Sequence, residues 1–179
     1  MKYYKILTVL IFLIGINEVQ SQNDSIKNPL TLDKLNVMIG EWEGTGWMMT
    51  RNGKENTEIT EKVEYKLEND MMVVEGLGTK TDSITKETKI VHEAFGIVFF
   101  DSKSNSLMIN AYKKGEFIQS KILLIEEKII QWNMEIPNQG KVRFTVDFST
   151  KNKWIEFGEF SRDGINWMKF LEMNLDRIN

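Results

Sequence analysis

The chain has 179 residues, a length that suits one globular domain. A 41% hydrophobic share with ten Phe excludes intrinsic disorder. The lack of Cys excludes a disulfide scaffold, a Cys-ligated metal and a cysteine nucleophile, and a formal charge of −3 lacks the basic footprint of a nucleic-acid binder.

The N-terminus reads as an address. Lys2 and Lys5 precede an apolar run, Ile6–Ile16, which is shorter than the about 20 residues a membrane-spanning helix needs. Val19-Gln20-Ser21 then offers small side chains for cleavage after Ser21. Residues 1–21 are therefore expected to be a signal peptide. The protein is expected to be exported, periplasmic or extracellular, with no stable membrane anchor after cleavage. Gln22–Asn28 is mostly polar, and residues 22–30 read as a flexible segment. A single domain is expected over 31–179.

Thr31 can cap a short helix over Leu32–Met38, with Leu32, Leu35 and Met38 on one face. Beyond it, period-2 alternation takes over. Val142, Phe144, Val146 and Phe148 alternate with Lys141, Arg143, Thr145 and Asp147, the pattern of a half-buried antiparallel strand. Similar segments occur at Glu41–Met49, Glu58–Glu68, Met71–Thr79, Lys86–Asp101, Ser106–Lys113, Glu116–Glu126, Lys128–Ile136, Lys153–Ser161 and Asn166–Arg177. Turn residues such as Arg51-Asn52-Gly53, Lys114-Gly115 and Arg162-Asp163-Gly164 separate them. Lys86–Asp101 is long for a strand, and Gly96 is expected to mark a bulge or bend in it. About ten strands joined by short hairpins, with no crossover, favour an all-β, antiparallel up-and-down barrel, with a two-sheet sandwich as the alternative.

Few residue types here carry chemistry. The one histidine, His92, lies mid-strand and reads more readily as an ordinary hydrogen-bonded side chain than as a ligand or base. One His without Cys makes a zinc site improbable, and no Gly-x-Ser-x-Gly elbow or phosphate-binding glycine loop occurs. Three glutamates interrupt apolar faces and are the catalytic candidates. Glu75 falls in phase with Met71, Val73 and Leu77; Glu156 with Trp154, Gly158 and Phe160; Glu172 with Met168 and Phe170. A carboxyl on an apolar face has a raised pKa unless it is paired, and such groups cluster at functional sites. The competing readings place these faces outside the barrel, where scattered apolar residues are ordinary, or pair the glutamates structurally with Arg143 or Lys169. Trp47, Met72, Trp132, Phe144 and Trp154 are the candidates to line a cavity, because a ten-stranded barrel is wider than its side chains fill and Met and aromatics make an adaptable lining.

The opening of the first strand, Gly40-Glu41-Trp42-Glu43-Gly44-Thr45-Gly46 after a helical turn, resembles the calycins, the superfamily of lipocalins and fatty-acid-binding proteins. Its Gly-x-Trp-x-Gly-x-Gly form is most similar to nitrobindin-type barrels and to uncharacterised exported relatives of them. The segments Trp154–Trp167 and Glu172–Arg177 look like the same relatives. The resemblance implies that Trp42 closes the barrel base and that Arg177 packs over its ring, both as structural residues. Nitrobindin-like proteins hold heme through a histidine late in the chain. None follows His92 here, so no cofactor is expected. The implied function is binding of a small hydrophobic molecule, such as a fatty acid, isoprenoid or pigment. The alternatives are an enzyme using a buried glutamate on a lipid-like substrate and a ligand-free assembly protein.

Overall fold

The computed structural model describes residues 30–179 except Lys114. The proposed signal peptide and nearly all of the polar segment after it lie outside the described residues. Ten strands follow one another: β1 (Gly40–Thr50), β2 (Gly53–Lys66), β3 (Met71–Thr81), β4 (Thr88–Asp101), β5 (Ser106–Lys113), β6 (Glu116–Glu126), β7 (Ile129–Ile136), β8 (Gly140–Asp147), β9 (Lys153–Ser161) and β10 (Met168–Arg177). Each pairs antiparallel with the next, and β10 pairs with β1 to close the barrel. The two-sheet sandwich is thereby set aside: every strand has two hydrogen-bonded neighbours and no sheet edge remains.

Closure needs a tight seam. At Gly44 a Cβ would lie 2.2 Å from the Asn174 carbonyl oxygen and 2.9 Å from the Leu175 Cα, so only glycine lets β1 and β10 approach this closely.

The two ends of the barrel differ. At the base, Leu32–Met38 form a 3-10 helix rather than an α-helix, and the Thr31 side chain makes no capping hydrogen bond. Leu32, Leu35 and Met38 are spaced by three, which is the 3-10 period, so all three are buried on one face against the barrel. They meet Trp42, Val63, Met72, Val98, Leu107, Ile122, Ile130, Val146, Phe148, Trp154, Met173 and Leu175 in one core. Trp42, Phe148 and Trp154 interlock at its centre, with ring centroids 5.0 to 6.0 Å apart. At the other end, the short loops after β1, β3, β5, β7 and β9 leave the barrel open.

Two details of register depart from the sequence reading. Gly96 pairs with Val74 without a break, so it is not the site of a bulge. The irregularity falls where His92 pairs with Gly78 and Ile90 with Thr79. A Cβ on Gly78 would sit 2.9 Å from the His92 Cβ, so the missing side chain makes room there. Strand β2 also begins at Gly53, earlier than the expected Glu58, because its polar start pairs with the end of β1 across a two-residue turn.

Candidate functional site

Above the packed base the interior is hollow, with a cavity of about 430 Å³. Its cause lies in β3, β4 and β5. Among the inward positions there, Gly76, Gly78, Ala94, Gly96 and Ala111 are small, and all five line the cavity. Gly76 pairs with Ala94, and Gly96 with Ala111, so the small side chains form one contiguous gap in the wall. The opposite wall is aromatic. Trp132 and Phe144 stack at 4.2 Å with an interplanar angle of 16°, and Phe170 meets Phe144 edge-on at 5.9 Å. Gly158 makes this packing possible, since a Cβ there would lie 2.9 Å from the Phe170 ring and 3.0 Å from Phe144.

Two carboxylates face this apolar space from just above the base. Glu61 is one inward position up β2 from Val63, and Glu156 is one inward position up β9 from Trp154. Glu61 lies over Gly76, where a Cβ would be 2.6 Å from its Oε1. The Trp154 indole N–H donates to Glu156 Oε2 at 3.2 Å. Both residues keep some accessible surface and line the cavity, and Glu61 also borders the outer depression beside it. Burial, and then the negative charge of Glu156, pushes the Glu61 carboxyl up to about 8. Burial pushes Glu156 up to about 7, against the opposing pull of the Trp154 N–H. Among the described residues no Lys or Arg forms an ion pair with either. The two influence each other's titration, and near neutral pH Glu61 keeps its proton while Glu156 begins to ionise.

The structure treats the candidate residues unequally. Of the three glutamates chosen from the sequence, only Glu156 enters the barrel. Glu75 is exposed on the outer face, in register with Lys62: the inward positions of β3 are its neighbours Val74 and Gly76. Glu172 is turned outward to Lys169, whose Nζ lies 2.7 Å from its Oε2. A register shift between Lys169 and Leu171 changes the phase of β10, which separates Glu172 from the inward Phe170. Trp132, Phe144 and Trp154 line the cavity. Met72 is fully buried in the base instead. Trp47 reaches the cavity rim but alternates with the inward Gly46 and Met48. Its ring lies on the outer side, with Lys54 Nζ 4.1 Å from the centroid.

Glu61 escaped the sequence reading. Its signal was its phase with Ile59 and Val63, masked by the polar Glu55 and Thr57 that begin the same face of β2.

At the base Trp42 is 1% exposed, and its indole N–H donates to the Met38 carbonyl at 2.8 Å. The Arg177 guanidinium lies 4.1 Å over the Trp42 ring and donates to the carbonyls of Val37 and Ile39. Strands β7 to β10 carry no histidine. His92 is in β4, on the cavity wall.

A larger depression of about 840 Å³ crosses the outer face from Glu41 to Phe117. It is open to solvent and carries the exposed row Phe95, Tyr112 and Phe117.

A closed ten-stranded up-and-down barrel with a sealed base and a hollow upper half is a calycin-like fold. No protein-family profile and no curated protein matches the sequence. Solved structures do match. The chain is similar to Rv2717c from M. tuberculosis, with a TM-score of 0.57 and 10% identity, over 83% of this chain and 97% of that one. It is similar to the S-type phycobiliprotein lyase CPES from Guillardia theta, with a TM-score of 0.57 and 7% identity, over 84% and 94%. At such identity these likenesses speak for the fold alone.

Proposed function

We propose that the protein is an exported carrier that encloses a small, mainly apolar molecule within its barrel, as a distant member of the nitrobindin-like group of calycins. The observation that carries this reading is the 430 Å³ cavity, enclosed by aromatic and aliphatic side chains above a base sealed by its own core. The small side chains of β3 to β5 support it, because a barrel selected only for stability would fill that gap. Export rests on Lys2, Lys5 and the apolar run Ile6–Ile16.

Binding is tested with N-phenyl-1-naphthylamine, an uncharged dye that brightens in apolar sites. The protein should take up one dye per chain. Ala111→Phe, which places a ring in the gap, should abolish the uptake while the variant remains folded. Uptake unchanged by Ala111→Phe would place the dye elsewhere and remove the reading.

A second reading is favoured by the same two carboxylates. A Glu156 that ionises near neutrality can exchange a proton with a bound substrate, so the pair can serve as acid and base in an enzyme. Turnover of a bound lipid-like compound, lost in Glu156→Gln with binding retained, would favour it.

A further inference from the structure

The cavity has a polar feature that a carrier for plain hydrocarbon does not need. Glu61 and Glu156 reach its floor from two different strands, and among the described residues neither is met by a cation. Each has been built in. Glu61 occupies the space that Gly76 leaves open, and Glu156 is oriented by the Trp154 indole. Their in-register neighbours bring no other charge: Trp42 and Gly76 flank Glu61, and Val146 and Met173 flank Glu156. The remaining titratable groups along the lining, Glu55, His92, Tyr112 and Lys113, stand nearer the open end, with Glu172 at the rim. Glu55 is engaged there by Thr50 and Lys80.

A buried carboxylate without a counter-ion is costly, and the cost falls if a ligand supplies the cation. Directly above the floor, the stacked Trp132 and Phe144 and the edge-on Phe170 offer faces that attract a cation's apolar flank as well as hydrocarbon. We infer that the cavity takes a lipophilic amine: a protonated nitrogen seated at Glu61 and Glu156, and an apolar body against Trp132, Phe144 and Phe170. This deepens the carrier reading and rests on it.

The charge balance is simple. One carboxylate ionises and pairs with the ammonium, the other keeps its proton and can accept from the ammonium through its carbonyl oxygen, and the filled site is neutral. Below the pH at which the first carboxyl ionises, binding releases one proton to solvent. Affinity for an amine therefore rises about tenfold per pH unit there and levels off at higher pH.

The test is displacement of N-phenyl-1-naphthylamine from the purified protein by decylamine, decanol and decanoic acid, between pH 5.5 and 8.5. At pH 7.5 decylamine should displace the dye at least about tenfold better than decanol, a difference of one charge-assisted contact. The preference should vanish in the Glu61→Gln/Glu156→Gln double variant, with decanol unaffected. In the wild-type protein the amine preference should shrink as the pH falls, while decanol stays level; this arm needs no variant. Equal displacement by amine and alcohol, or preference for the acid, would overturn the amine inference and leave the carrier reading standing. Failure of the dye itself to bind would overturn both.

Discussion

Arg177 makes two kinds of contact at the barrel base. Its guanidinium plane covers the Trp42 ring, and its N–H groups satisfy the carbonyls of Val37 and Ile39 where the 3-10 helix ends. Trp42 in turn ties the Met38 carbonyl and forms the centre of the aromatic trio. Trp42→Ala should cost about 3–5 kcal/mol in urea unfolding, as a truncation of a buried aromatic. Arg177→Ala should cost less, and the double variant should lose less than the sum of the two, because the groups share partners. Strict additivity would mean that the stack carries no energy.

The interior glutamates make a different prediction, on pH. Both ionise near 4.5 when exposed and are raised to about 8 and about 7 in the fold. Between these limits the folded chain holds more protons than the unfolded one. The stability this pair permits is therefore complete below about pH 4.5 and is lost as the pH rises through 7 to 8. The loss is on the order of a few kcal/mol. Glu64 and Asp163, held low by lysine and backbone partners respectively, titrate below this window and do not mask it. Urea midpoints should fall between pH 5 and 8.5 in the wild-type protein and stay nearly flat in Glu61→Gln/Glu156→Gln. A flat wild-type profile would show that the pair is not enclosed.

At the scale of strands, glycine decides where backbones and side chains meet. Gly44 faces the β10 backbone, which has no room to move without opening the seam. Gly76 faces the end of a Glu61 side chain, which can swing away. Gly44→Ala should therefore destabilise the barrel by about 3 kcal/mol or more, whereas Gly76→Ala should be tolerated in stability and felt only as altered ligand binding. Comparable destabilisation by both would place the Glu61 carboxylate elsewhere.

The strands were legible because alternation is a local property: Val142 to Phe148 shows its two faces without any knowledge of neighbours. The facing of a strand was not always legible. In β3 the apolar Met71, Val73 and Leu77 share the outer side with Glu75, while Gly76 and Gly78 look inward. Glycine leaves no hydrophobic mark, so parity favoured the wrong face. In β10 the shift between Lys169 and Leu171 changes the phase, and no residue there announces it. Glu156 was readable because Trp154 and Phe160 share its face. Glu61 was not, because Ile59 and Val63 are the only aliphatic marks on its face of β2, which continues as the polar Glu55 and Thr57.

The whole molecule divides into a packed lower half, which supplies stability, and a hollow upper half bounded by small residues. The two halves meet at the floor, where the aromatic trio ends and the carboxylates begin. A guest in the upper half binds the folded barrel and not the unfolded chain, so it should raise stability by about 2.7 kcal/mol when present at a hundred times its dissociation constant. Decylamine at such an excess should shift the thermal midpoint upward, and Ala111→Phe should abolish the shift.

The most direct measurement is native mass spectrometry of the protein purified from its own host, alongside Ala111→Phe prepared in the same way. The wild-type chain should carry a small molecule as a discrete added mass, released on unfolding and absent from the variant. A wild-type chain at its bare mass, or an adduct that survives Ala111→Phe, would contradict a ligand held in the barrel interior.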